Sequence, residues 1–153
     1  MPQYKTHLVG GVAAFLICLF CILKIIHPTI PVLFEWLLCA LIGSLFPDVD
    51  IKSKGQLSVY WLISLLVGYY IMFRRDYRIA AWISFLAFLP LLVRHRGIFH
   101  SFAFIVFIEL IGFCFVVAYS PHLARIVAYD LLFFTAGVLS HLLLDYGIRR
   151  FIS

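Results

Sequence analysis

Apolar residues run in six long stretches along the 153-residue chain, separated by short segments that hold prolines and most of the charged side chains. A transmembrane helix needs about 20 apolar residues, with a range of about 17–25. Short connectors make neighbouring helices antiparallel. The pattern therefore predicts an all-α, multi-pass transmembrane helical bundle that forms a single domain over residues 1–153. The stretches cover residues 8–26, 32–46, 57–73, 79–93, 101–119 and 126–148.

The second and fourth stretches are short for a membrane span. Either could be re-entrant, and if both fail to cross the bilayer the chain has four spans. We predict about six helices, with four as the alternative. Trp36, Trp61 and Trp82 each lie near the start of a stretch, where interfacial anchors are expected.

Composition supports a membrane protein. Mean hydropathy is +1.09 and only 12% of residues are charged, against about 25% in soluble domains. The net charge of +5 does not indicate nucleic-acid binding, because the basic residues are scattered among the connectors. Membrane lipids are the expected surroundings.

Cys18-x-x-Cys21 lies inside an apolar stretch and is interpreted as two small apolar residues rather than a redox pair or half a zinc site.

Candidate metal ligands gather in the segments that six spans would place on one side of the membrane. The opposite connectors hold only His27, Asp76 and His122 as comparable groups. This one-sided distribution predicts a polar site at one membrane face. The candidates are His7, Asp48, Asp50, His95, His100, His141 and Asp145.

The local spacings agree with a shared site. His141 and Asp145 are four residues apart, which puts both on one helical face. The pair could chelate one ion, or the carboxylate could orient the imidazole. Asp48 and Asp50 supply two oxygen ligands from a segment that Pro47 stiffens.

The donor types restrict the choice of metal. Gly97 lets the chain bend between His95 and His100, so that both rings can point at a common centre. Mixed imidazole and carboxylate ligands suit zinc, manganese or iron better than calcium or magnesium. Seven ligands exceed the needs of one ion. The site would hold two metals roughly 3.5–4 Å apart, or use some members as a base or as outer partners.

Each group also has a simpler structural explanation. His7 alone would be an interfacial histidine. Asp48 would belong to a helix stop and turn, and residues 97–101 would end one helix and cap the next. His141 and Asp145 would form a hydrogen-bonded pair inside the bundle. Jointly these explanations need four independent coincidences on one face, so we favour the combined site.

One acidic residue lies deep in a predicted span. Glu109 is about eight residues into the fifth stretch, roughly 12 Å from its start, where a carboxyl group is costly and is a functional suspect. Of the acids outside the cluster, it is the one expected to be able to reach the site face. Two alternative functions follow: a small proton or ion transporter that uses Glu109, and a non-catalytic membrane protein that binds metal or anionic lipid.

Three motifs carry a family resemblance: Pro-Asp-x-Asp at 47–50, His-Arg-Gly-x-x-His-Ser at 95–101 and His-x-x-x-Asp at 141–145. With them, nearly the whole chain resembles the LexA-regulated, membrane-bound metal-dependent hydrolase family of the bacterial inner membrane. That family is similar to the zinc-dependent phospholipase C and P1 nuclease group. The resemblance implies hydrolysis of a phosphoester, such as a phospholipid or a lipid-linked headgroup.

The hypothesis for catalysis assigns roles to the clustered residues. One or two divalent ions, zinc before manganese, would lower the pKa of a bound water and polarise a phosphoryl oxygen. Asp50 would take the proton. Arg94 and Arg96 would bind phosphate oxygens, because guanidinium matches phosphate geometry. His100 is the first expectation for a ligand from its connector, and His95 is either a ligand or an outer partner.

The distribution of basic residues favours a cytoplasmic site, because cytoplasmic loops carry an excess of Lys and Arg. The side opposite the site has five: Lys24, Arg74, Arg75, Arg78 and Arg125. The site side has seven: Lys5, Lys52, Lys54, Arg94, Arg96, Arg149 and Arg150. The predicted location is the bacterial inner membrane with the site facing the cytoplasm.

Overall fold

The computed structural model describes residues 4–48, 54–69 and 101–146, together with 71–72, 75, 77, 80–81 and 84. All regular structure of the three main ranges is helical, which confirms the all-α prediction. Single 3-10 turns follow the second helix at Phe46–Asp48 and precede the last at Pro121–Leu123. The α-helices of these ranges are α1 (Tyr4–Ile22), α2 (Ile30–Leu45), α3 (Lys54–Tyr69), α4 (Phe102–Tyr119) and α5 (Ala124–Tyr146).

Four helical segments of the described chain are long and apolar enough to cross a membrane. Helix α3, with 16 residues, is shorter than these. The predicted fourth span, 79–93, lies outside the described residues except for 80–81 and 84. Within the described ranges the candidate spans number four and include the second stretch, one of the two that the four-span alternative would have removed. They are Tyr4–Ile22, Ile30–Asp48, Phe102–Tyr119 and Pro121–Asp145.

The helix ends differ from the apolar stretches where polar residues continue a helix. Helix α1 begins at Tyr4 rather than Leu8, because nothing between these positions breaks a helix. His7 consequently lies inside the first turns of α1 and not before it. Helix α2 begins at Ile30 and has a proline in its first turn. Proline lacks an N–H, and an N–H in the first turn has no partner within the helix.

Helix α5 is the centre of the bundle and packs closely against α2. A Cβ atom on Gly43 would overlap the carbonyl of Phe134, and one on Gly137 would overlap the carbonyl oxygen of Ala40. Small residues allow such close approach, and in membranes this approach replaces the hydrophobic effect as a source of helix association. The two glycines therefore set the α2–α5 distance.

Aromatic rings fill the other end of the same contact. Trp36 is 3% exposed and stacks on Phe133 with 4.8 Å between ring centroids. Tyr129 lies beside it at 5.5 Å. The expectation that Trp36 is an interfacial anchor is therefore wrong, because its ring faces α5 rather than the membrane surface. Trp61 of α3 is 64% exposed, as an anchor would be, and Trp82 lies outside the described residues.

The ends of four helices meet at one end of the bundle. In α4, Ile105 belongs to the same buried cluster as Val138 and Leu142 of α5, so the start of α4 lies beside the end of α5. His7 of α1 contacts Asp145 near the end of α5. The end of α2 is also here, as shown below, and we call this region the site end.

Candidate metal centre

His141 of α5 is completely buried and is held by the backbone of α2. Its Nδ1 lies 2.7 Å from the carbonyl oxygen of Ser44. A carbonyl oxygen only accepts hydrogen bonds, so Nδ1 carries a hydrogen and donates it. In the neutral ring this places the lone pair on Nε2. The contact thus determines which nitrogen of His141 is available to a metal.

The Nε2 atom of His141 faces two carboxylates. It lies 3.6 Å from Oδ1 of Asp48 and 3.3 Å from Oδ2 of Asp145. Ionised carboxylates are acceptors only, so a neutral imidazole would turn its lone pair towards two negative groups. A positive charge, either a metal ion or a proton on Nε2, converts this repulsion into attraction. The arrangement is therefore suited to a cation.

His7 adds a second imidazole to the same place. It is buried, and its ring stacks on that of His141 with 3.9 Å between centroids and an interplanar angle of 19°. Its Nε2 lies 3.4 Å from Oδ1 of Asp145. Asp145 consequently spans both rings, one oxygen to each, and fixes α1 relative to the end of α5.

The separations of the donor atoms fit a metal site. One donor atom from each of His7, Asp48 and His141 lies within 4.8 Å of the other two. Donors that share one zinc ion at the usual bond lengths lie roughly 3.3 Å apart, and Nε2 of His141 lies 3.6 Å from Oδ1 of Asp48. Imidazole nitrogen with carboxylate oxygen suits zinc or manganese. The residues present therefore fit a divalent ion.

Burial gives the site a direction of access. The side chains of His7 and His141 are 2% and 0% exposed, whereas those of Asp145 and Asp48 are 15% and 22% exposed. The imidazoles form the floor and the carboxylates the open side. A ligand would therefore approach past the carboxylates, at the site end of the membrane helices.

The structure brings together four of the predicted ligands from three helical segments: His7, Asp48, His141 and Asp145. They are far apart in the sequence and meet because α1 begins, and α2 and α5 both end, at the site end. Their role as metal ligands stays a prediction. The other predicted site residues lie outside the described residues: Asp50, Arg94, His95, Arg96 and His100.

The carbonyl of Ser44 is the site component that the sequence did not reveal. Every residue has a carbonyl, so its sequence carries no sign of this role. The neighbouring packing does have a signal, because Gly11 and Gly137 interrupt apolar helices beside it. A Cβ on Gly11 would lie 2.7 Å from Oγ of Ser44, and one on Gly137 would lie 2.8 Å from the backbone nitrogen of Ser44.

Glu109, the acid that was expected to be able to reach the site face, lies away from the cluster. The hydroxyl of Thr135 donates to its Oε2 at 2.6 Å. Thr135 precedes His141 by six residues, or about 9 Å along the helix. The carboxyl group is therefore part of the α4–α5 contact, below the site end.

Comparison with known proteins identifies the family of this chain. The family described as YdjM inner membrane protein matches residues 1–151. No curated protein and no solved structure matches the chain significantly. The match is consistent with the resemblance to LexA-regulated inner-membrane proteins and gives no support to the similarity with the phospholipase C and P1 nuclease group. A match over nearly the whole chain shows that the protein belongs to the YdjM inner membrane protein family.

Proposed function

We propose that this membrane protein is a metal-dependent hydrolase that cleaves a phosphoester of a membrane lipid or a lipid-linked headgroup. One observation carries the proposal: His141 donates from Nδ1 to the Ser44 carbonyl and presents Nε2 to two carboxylates. A metal-binding histidine usually has its second nitrogen fixed in this way. Bundles of helices commonly hold such centres through side chains from facing helices.

The chemistry divides between an ion and the chain. A divalent ion would lower the pKa of a bound water and polarise a phosphoryl oxygen. The Ser44 carbonyl holds the His141 ring in one orientation. Asp145 keeps the rings of His7 and His141 in register, and Asp48 lies on the open side.

Residues from the neighbouring segments complete the proposed chemistry. Asp50, two residues after Asp48, would accept the proton of the attacking water. Arg94 and Arg96 would bind phosphate oxygens, with His95 and His100 as further ligands. They precede α4, whose first turn lies at the site end. All these segments thus join the described chain near the cluster.

The position of the cluster supports the proposed substrate class. The cluster lies at the ends of helices that are long and apolar enough to span a membrane, and lipid headgroups flank the hydrocarbon core that such helices cross. Its open side holds carboxylates, so a phosphate can approach only together with a cation or a basic side chain. A cytoplasmic orientation in the inner membrane completes the proposal, on the distribution of Lys and Arg.

The first test measures metal binding. Detergent-purified protein is loaded with zinc or manganese, freed of excess metal and assayed by mass spectrometry for bound metal. We expect Asp145→Asn to lower metal affinity about 10–100-fold. Asp130→Asn is the matched control, because it makes the same change in the same helix away from the cluster. A wild-type protein that retains no metal, or equal losses in both variants, would contradict the proposal.

The second test separates catalysis from binding. Metal-loaded protein in vesicles of phosphatidylglycerol and phosphatidylethanolamine is followed by phosphorus NMR for release of a phosphate ester. We expect release that depends on the metal and is lost in His141→Gln. Bound metal without release from either lipid would favour the alternative, a membrane protein that binds metal without catalysis.

A further inference from the structure

A groove runs along the bundle between α4 and α5. It encloses a cavity of about 380 Å³, with Phe46 and Ile105 near the site end and Val116 and Val127 towards the other. From Ile105 to Val116 it follows α4 for about 16 Å. Among the described residues, its walls are apolar apart from the carboxyl group of Glu109. We call it the α4–α5 groove.

We propose that the α4–α5 groove binds a hydrocarbon chain of the lipid phosphoester whose headgroup reaches the metal centre. This inference rests on the proposed function and names its substrate class: a lipid recognised by its chain inside the bilayer as well as by its phosphate. The groove lies within membrane-spanning helices, so lipid chains are the molecules that surround it.

The groove and the candidate metal centre share neighbouring residues. Phe46 lines the groove and precedes Asp48 by two positions within the same 3-10 turn. Ile105 also lines it and packs in one cluster with Leu142, the neighbour of His141. A chain that lies in the groove therefore ends beside the carboxylates of the site, where its headgroup would be placed.

Glu109 is the one charged residue among the described residues that line the groove. Its Oε2 accepts a hydrogen bond from Thr135, whereas its Oε1 is buried without a hydrogen-bond partner among the described residues. A polar atom at this depth in a bilayer is costly, and closely packed helices normally pair it. Because Oε1 is itself buried, the surface that the groove offers to a ligand is almost entirely apolar, as a hydrocarbon chain requires.

A second cavity offers an internal comparison. It measures about 360 Å³ and lies between α1 and α5, lined by small residues such as Gly10, Ala13 and Ala14. It also approaches the site end, because Gly10 follows His7 by three positions and Leu144 precedes Asp145. We assign the lipid chain to the α4–α5 groove, because Phe46 brings that groove beside Asp48 on the open side of the site, and use the second cavity as the control.

Photo-crosslinking tests the assignment. The full-length protein is placed in phosphatidylglycerol vesicles that contain phosphatidylglycerol with a diazirine on one acyl chain, and the labelled positions are mapped by peptide mass spectrometry. We expect Val116 and Leu131 of the groove to be labelled about tenfold more than Phe107 and Phe115. The latter are 59% and 61% exposed on α4 and report ordinary contact with bulk lipid.

Filling the groove provides the matched variants. Gly112 lines the groove and a Cβ there meets nothing within 4 Å, so we expect the side chain of Gly112→Leu to extend into the groove. Gly68 of α3 has the same free space, and Gly68→Leu is its control. Ala13→Leu fills the second cavity. We expect Gly112→Leu alone to lower groove labelling, by about tenfold.

Two results would overturn the inference: equal labelling of groove and outward positions in the wild type, or loss of groove labelling in Ala13→Leu but not in Gly112→Leu. Metal content and phosphate release are measured on the same samples. Absent groove labelling with metal and release intact defeats this inference alone. Labelling without bound metal defeats the proposed function and, with it, the link between the groove and catalysis.

Discussion

The two sides of α5 are packed in opposite ways. Towards α2, Gly137 and Gly43 bring backbones into direct contact. Towards α4, large side chains meet around a cavity of about 380 Å³. Lipid is as apolar as the helix surfaces, so close packing rather than burial decides which helices associate. The tight side of α5 positions the candidate ligands, and the loose side leaves space that a ligand can use.

The largest difference in unfolding free energy is expected when the same methyl group is added on each side of α5. Gly137→Ala would force the Ala40 carbonyl and the Ser44 backbone to move, and we expect a loss of about 2–3 kcal/mol in the free energy of unfolding. Gly112→Ala meets open space and gains helix propensity, so we expect no loss and a gain of up to about 1 kcal/mol. Unfolding in mixed detergent, followed by circular dichroism, measures both. Equal effects of the two substitutions would show that the sides are not packed differently.

A smaller effect is expected at Gly11 of α1, which packs against Ser44 of α2. In Gly11→Ala the new Cβ would lie 2.7 Å from Oγ of Ser44, and we expect a loss of about 1–2 kcal/mol. Ser44→Ala removes that oxygen and leaves the backbone carbonyl to His141. The double variant should recover about 0.5–1 kcal/mol as a coupling energy. Strict additivity of the two changes would place the strain elsewhere than at this contact.

The smallest expected effect belongs to the loose side. Thr135→Val removes the hydroxyl that donates to Glu109 with little change in shape, and hydrogen bonds between membrane helices contribute about 0.6 kcal/mol on average. We expect a loss of that size in unfolding free energy. Thr135→Ser, which keeps the hydroxyl, should remain near the wild type. A loss in Thr135→Ser as large as that in Thr135→Val would attribute the effect to the methyl group.

Hydropathy and topology predicted the parts of this fold that depend on position along the membrane normal. The spans follow from the length of the apolar stretches, and the meeting of His7, Asp48 and His141 follows from helices that alternate in direction. Rotation about each helix axis was not predictable in the same way. In lipid all faces of a helix are apolar, so the periodic signal that orients a helix in water is weak. Trp36 was therefore assigned to the interface although it faces α5.

The spacing of small residues could have predicted how α2 and α5 are rotated about their axes. Ala40, Gly43 and Ser44 lie on one face of α2, and Gly137 and Ser140 interrupt the apolar sequence of α5. Such spacings mark the faces on which membrane helices approach each other. The hydrogen bond from His141 to the Ser44 carbonyl has no comparable signal, because it depends on backbone atoms and on the register that these glycines create.

The peptide group of Ser44 links the packing of α2 against α5 to the orientation of the His141 ring. Its backbone nitrogen borders Gly137 across the α2–α5 contact, and its carbonyl oxygen accepts the hydrogen bond from His141. A slip of α2 by one residue, about 1.5 Å along its axis, would remove the acceptor and let the imidazole turn either nitrogen to the carboxylates. Only the correct packing of α2 against α5 therefore holds His141 with Nε2 towards the two carboxylates.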